Sequence, residues 1–195
     1  MNKEQSFTEY LNEVSSARST PGGGHVAARV NAFGCGLMLM SLRIAVLKKD
    51  PSNTAALKLE KKLLKLQDTS MKLADEDSES FRSVMRSWKS GGEPLENALG
   101  YSAEVSQKIA GAARDLLETI NSEEISKYKN IITDLGLAAA LARTAYEGGM
   151  MNLKINSASL KNSSVKNKFI NDAEKDEEGF RILYGNIIEK ISEYI

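Results

Sequence analysis

Three groups of residues in this sequence have types and spacing suited to chemistry. The first is Ser19-Thr20-Pro21-Gly22-Gly23-Gly24. Inside a helix each glycine costs about 1 kcal/mol relative to alanine, so three at a helix start need a compensating use. One use is to bring backbone N–H groups close to an anion at the positive helix end. The other is a tight turn with close helix packing. The second group centres on Asp77, in Leu73-Ala74-Asp75-Glu76-Asp77-Ser78-Glu79-Ser80-Phe81. At about 100° per residue, Asp77 shares a stripe with Ser70, Leu73, Phe81, Val84 and Trp88. A buried acid is costly unless paired or used, and burial raises its pKa toward values useful for proton transfer. A helix-to-helix hydrogen bond would equally account for it.

The third group is Asn130, Asp134, Asn152 and Asn156. On a continuous helix Asp134 and Asn152 fall at the same angle, because 18 residues make about five turns. Ala138, Ala145 and Gly149 lie between them. Such small residues admit a neighbouring helix or a flat ligand.

The elements that must position these groups read as helices throughout. Three- and four-residue apolar spacing marks segments at about 3–16, from the glycines to about 49, 51–89, 94–120, 131–158 and 164–195. Phe7, Leu11 and Val14 share one side of the first. Each of the three prolines stands at an expected helix start, and Asp50 is placed to cap the helix opened by Pro51. Asp176 reads as part of a solvated turn among Lys175, Glu177 and Glu178. Alternating β-branched runs are few and short. The expected fold is an all-α antiparallel bundle of five to six long helices, one domain spanning 1–195.

Composition excludes several function classes. Lys+Arg and Asp+Glu are both 26 in 195 residues, so the chain lacks the basic excess of a nucleic-acid binder. A single cysteine, Cys35, and a single histidine, His25, cannot build a disulfide framework or a Cys/His metal site. No metal ligand set is expected. The N-terminus is polar, without a signal-peptide core. The apolar run 30–47 is interrupted by Asn31, Ser41 and Arg43, which argues against a membrane span. A cytoplasmic protein is expected.

Taken in order, Ser19–Gly24, Asp75–Phe81, Asn130–Ala139 and Asn152–Asn156 resemble the formiminotetrahydrofolate cyclodeaminase/methenyltetrahydrofolate cyclohydrolase family over nearly the whole chain. The resemblance implies an all-helical homodimer with a folate groove near the subunit contact, a tetrahydrofolate derivative as substrate and no covalently bound cofactor. It implies Asp77 and Asp134 as catalytic carboxylates, in roles the sequence does not divide between them. Asn130, Asn152 and Asn156 would orient the pterin or the one-carbon bridge. Pro21, Gly22, Gly23 and Gly24 would cradle a polar part of the ligand, and Lys154 would pair with folate glutamate carboxylates. Four features depart from the family pattern: His25, Arg29, the stretch Ser41-Leu42-Arg43-Ile44-Ala45-Val46-Leu47, and Tyr128. They are expected around the ligand pocket, where they leave three uses open: an active enzyme, a folate binder without catalysis, and a helical interaction protein.

Overall fold

The computed structural model describes residues 6–195, and among them there is no strand. Six α-helices follow in order: α1 (Phe7–Val14), α2 (Gly23–Leu42), α3 (Thr54–Trp88), α4 (Gly92–Asn121), α5 (Ile132–Ala158) and α6 (Ser163–Ser192). A π-helical turn, Arg43–Leu47, extends α2, and a 3-10 segment, Ile125–Ile131, leads into α5. This is the expected all-α bundle. The start expected for the first helix, near Lys3, lies outside the described residues.

Helix α2 packs against α3 and α5, α4 packs against the same two, and α6 lies over α4 and α5. The registers run antiparallel. Asn31 on α2 donates to Ser70 on α3 at 2.9 Å, and His25 meets Ser78. By length and composition the apolar stretch Gly23–Leu47 could cross a membrane. In the bundle one side of it faces α3, α4 and α5 and belongs to the core, with Cys35 and Met38 fully buried, while Phe33, Met40 and Ile44 on its other side are exposed.

Small residues let these helices approach closely. A Cβ on Gly149 would stand 2.8 Å from the Ala110 nitrogen and 3.1 Å from the Ser106 oxygen. A Cβ on Gly34 would stand 3.1 Å from the Ala138 oxygen. The small stripe of α5 is therefore filled by neighbouring helices and holds no space for a flat ligand.

Several local expectations are corrected. Asp50 does not cap a helix at Pro51; it accepts from Ser52, and α3 starts at Thr54 with Asn53 capping Ala56 at 2.9 Å. Pro21 follows a cis peptide bond two residues before α2, whose N-cap is Gly22. In α1 the buried residue is Tyr10, while Phe7, Leu11 and Val14 are exposed. On α3, Phe81 and Trp88 are 36% and 60% exposed. The physical reason is that α2 begins opposite Asp77, so the last three turns of α3 run on without α2 to cover them. Asp176 lies inside α6, not in a turn; it pairs with Arg114 and accepts the Tyr146 hydroxyl at 2.7 Å.

Candidate functional site at the start of α2

The open end of the bundle is defined by where α2 begins. Its first turn meets α3 at Asp77 and α5 at Asn152. Both side chains lie directly on Gly24: a Cβ there would be 2.6 Å from Asp77 Cγ and 2.6 Å from Asn152 Nδ2. Real Cβ atoms essentially never approach other heavy atoms within 3.0 Å. The other two glycines are not held this way. A Cβ on Gly23 meets nothing within 4 Å, and one on Gly22 makes ordinary contact with the Ser19 oxygen at 3.4 Å. Only Gly24 is sterically required, and what it admits is the protein's own carboxylate.

Two effects act on Asp77. Burial raises its pKa, and a hydrogen bond from the His25 backbone N–H opposes that rise. The His25 N–H at the α2 start is thus turned toward an internal carboxyl group. The expected cradle exists, but its occupant is Asp77.

A hydroxyl network lies beneath the carboxyl group. Ser80 donates to the Asp77 backbone carbonyl at 2.9 Å, which leaves its oxygen to accept from the Ser102 hydroxyl 3.3 Å away. Asn156 donates to Ser102 at 3.0 Å and to Ser106 at 3.3 Å. This network joins α3, α4 and α5 at one level and fixes Asn156 with its amide turned inward. Ser80, Ser102 and Ser106 were not among the residues expected at a site. Their signal in the sequence is slight: serine at buried positions, with 102 and 106 one turn apart on an otherwise apolar face of α4. Phe81, one turn beyond Asp77, and Ile155, three residues beyond Asn152, are exposed apolar neighbours of the polar cluster.

The structure brings together Gly24, Asp77, Asn152 and Asn156, but not the whole expected set. Asp134 lies in the first turn of α5, and 18 residues at 1.5 Å each place it roughly 27 Å along the axis from Asn152. Asn130 is exposed in the preceding 3-10 segment, at that same far end. One site holding both aspartates is therefore not formed within a single chain. Lys154 is exposed and pairs with Glu177 at 2.9 Å, beside a 670 Å³ groove between α5 and α6 that Tyr146 and Phe180 also line. Pro21 borders a separate cavity with His25. Among the described residues, no group of three or more His, Cys, Asp or Glu side chains is arranged to hold a metal ion.

The pattern of the formiminotransferase-cyclodeaminase family matches residues 6–175. The chain belongs to that family. The methenyltetrahydrofolate cyclohydrolase of Methylorubrum extorquens is 26% identical over 204 residues, covering 98% of this chain and 96% of the relative. The structure of the formiminotetrahydrofolate cyclodeaminase of Thermotoga maritima superimposes with a TM-score of 0.90 at 23% identity, covering 97% of each chain. This member of the formiminotransferase-cyclodeaminase family thus has the fold of that cyclodeaminase.

The four departures from the family pattern do not cluster as expected. His25 and Arg29 lie on the first two turns of α2, near Asp77. The stretch 41–47 and Tyr128 lie at the opposite end, where Tyr128 is fully buried and donates to Glu123 at 2.7 Å. These two lie away from the Asp77 end.

Proposed function

We propose that this chain is a methenyltetrahydrofolate cyclohydrolase with Asp77 as its proton-transfer group. The observation that carries the reading is the half-buried Asp77 carboxyl, seated on Gly24 beside Asn152 at the open bundle end. The reacting carbon of the substrate is a cationic methenyl bridge between two nitrogens. Asp77 takes a proton from water as the water oxygen bonds to that carbon. It then returns the proton to the ring nitrogen as the carbon–nitrogen bond breaks. The hydroxyl proton leaves as the formyl carbonyl forms, and the positive charge departs with it. Ionised Asp77 also stabilises the cation before attack. Asn152, which lies against Gly24 as the carboxyl does, is placed to orient the bridge, and Phe81 and Ile155 offer apolar surface to the pterin.

The working form is a homodimer. Phe33, Met40 and Ile44 on α2 and its extension, with Leu64 on α3, leave large apolar side chains exposed that a second copy would cover. Light scattering on the purified protein tests the mass.

The assay follows loss of methenyl absorbance. Wild type turns over, and Asp77→Asn loses roughly 10²–10⁴-fold in kcat. Ammonia released from formiminotetrahydrofolate, with no methenyl hydrolysis, would reassign the activity to cyclodeaminase. Folate binding with no turnover of either substrate would make the chain an inactive relative.

A further inference from the structure

Helix α3 does not end where α2 begins. Beyond Asp77 it carries Phe81, Met85 and Trp88. These fall within about 80° of Asp77 around the helix and roughly 6, 12 and 16 Å along its axis. All three are open to solvent, Met85 at 54% and Trp88 at 60%. The segment is nonetheless well supported, because Val84 packs into a small core of its own with Ala98, Leu99 and Leu160. In the other direction the face of Asp77 is closed: α2 covers it where Asn31 meets Ser70. Any part of a ligand that extends from Asp77 along α3 must therefore run toward Trp88.

Charge on this segment is one-sided. From Ser80 to Gly92 there is no acidic residue, while Arg82, Arg86 and Lys89 are cationic. Arg82 and Arg86 are both held by Glu79, at 3.0 and 2.8 Å. Lys89, the C-cap of α3, has no ion pair among the described residues. It stands roughly 18 Å along the axis from Asp77. A ligand following the stripe meets apolar and aromatic surface first and an uncommitted ammonium group last. A folate has its parts in that order. After the one-carbon bridge come an aryl ring, an amide and a glutamate with two carboxylates. Extended, they reach roughly 10–13 Å at ordinary bond lengths, and the long lysine side chain spans the remainder. We propose that the last three turns of α3 bind the p-aminobenzoylglutamate part of the substrate, with the aryl ring against Met85 and Trp88 and a glutamate carboxylate on Lys89. The proposal rests on the folate reading above and gives the substrate's tail its place. Lys154, the carboxylate partner that the family resemblance implies, is instead committed to Glu177 on the α6 side.

The test measures heat of binding on the full chain, so its result does not depend on turnover. Tetrahydrofolate is titrated into wild type, Trp88→Ser, Trp88→Phe, Lys89→Gln and Lys89→Arg. Trp88→Ser should weaken binding about tenfold and Lys89→Gln about threefold, while Trp88→Phe and Lys89→Arg stay within about twofold of wild type. Rescue by an aromatic ring and by a second cation separates contact with the ligand from a structural role. Circular dichroism melts confirm that each variant folds. Binding to wild type that Trp88→Ser and Lys89→Gln leave within about twofold overturns the tail's place and keeps the folate reading. Absence of binding to wild type overturns both. A lower mass by light scattering for Trp88→Ser assigns the stripe to a second copy of the chain and overturns the proposal as well.

Discussion

Gly23 and Gly24 are adjacent glycines in the first turn of one helix, and alanine should affect them in opposite ways. At Gly23 the new methyl meets nothing within 4 Å. Alanine there removes the backbone-entropy cost of glycine, and the protein should gain about 0.5–1 kcal/mol. At Gly24 the same methyl would lie 2.6 Å from Asp77 Cγ and 2.6 Å from Asn152 Nδ2. Overpacking of this kind costs about 1–3 kcal/mol, less the same helix gain of up to about 1. The two neighbours should therefore differ by roughly 1–3 kcal/mol. Because the clashing atoms are ends of short side chains, Asp77 and Asn152 should swing aside before the backbone moves. The larger effect is on rate: a displacement of about 1 Å at a reacting group costs roughly 100-fold. Urea unfolding of both variants gives the stabilities, and loss of methenyl absorbance gives the rates. If Gly24→Ala kept full activity and matched the stability of Gly23→Ala, the placement of Asp77 on Gly24 would be wrong, and with it the proposed site.

Three further outcomes follow from the same geometry. Asp77→Asn should raise the unfolding temperature at pH 7, because burial raises the folded carboxyl's pKa above the ordinary 3.8 and ionising it opposes folding. That gain should shrink as pH falls toward 3.8, where the unfolded carboxyl is also protonated; a gain unchanged down to that pH would contradict the assigned burial. Asp134→Asn should alter kcat by less than about twofold, since roughly 27 Å separates it from Asn152 along α5; a loss comparable to that of Asp77→Asn would mean that the far end of a second copy completes the site. Cys35 is fully buried, with its thiol pushed up to about 12, so a thiol reagent at pH 8 should label it only after denaturation; rapid labelling of the native protein would show that α2 opens.

The sequence displayed the helices well because their apolar spacing is long and regular, and α3 and α6 begin within three residues of where the pattern placed them. It displayed caps less well. Asp50 and Asn53 are both good capping residues, three positions apart, and only the turn preceding α3 decides between them. Asp77 was legible as an acid on the stripe of Ser70 and Leu73. The exposure of Phe81 and Trp88 on that same stripe was not, because it depends on where a different helix begins. Asp134 was misplaced for a related reason. Helical periodicity gives the angle between two side chains and is silent about the distance along the axis. Ser80, Ser102 and Ser106 come from two helices and meet only once α3, α4 and α5 are packed, so no local pattern announces them.

The glycine turn shows how a correct local reading acquires a different use in the fold. Glycines at a helix start suit an anion, and the obvious candidate was an anionic part of a ligand. The structure places Asp77 there, with the His25 N–H directed at it. Burial raises the pKa of that carboxyl and the helix-start hydrogen bond lowers it, so the two effects oppose each other at one atom group. A carboxyl whose pKa is raised by burial holds a proton more readily, which suits it to take one from water. It also changes the charge that the open bundle end presents. With its own carboxylate already on the helix start, the site is complementary to a cation, and in the proposed reaction the reacting carbon carries the positive charge.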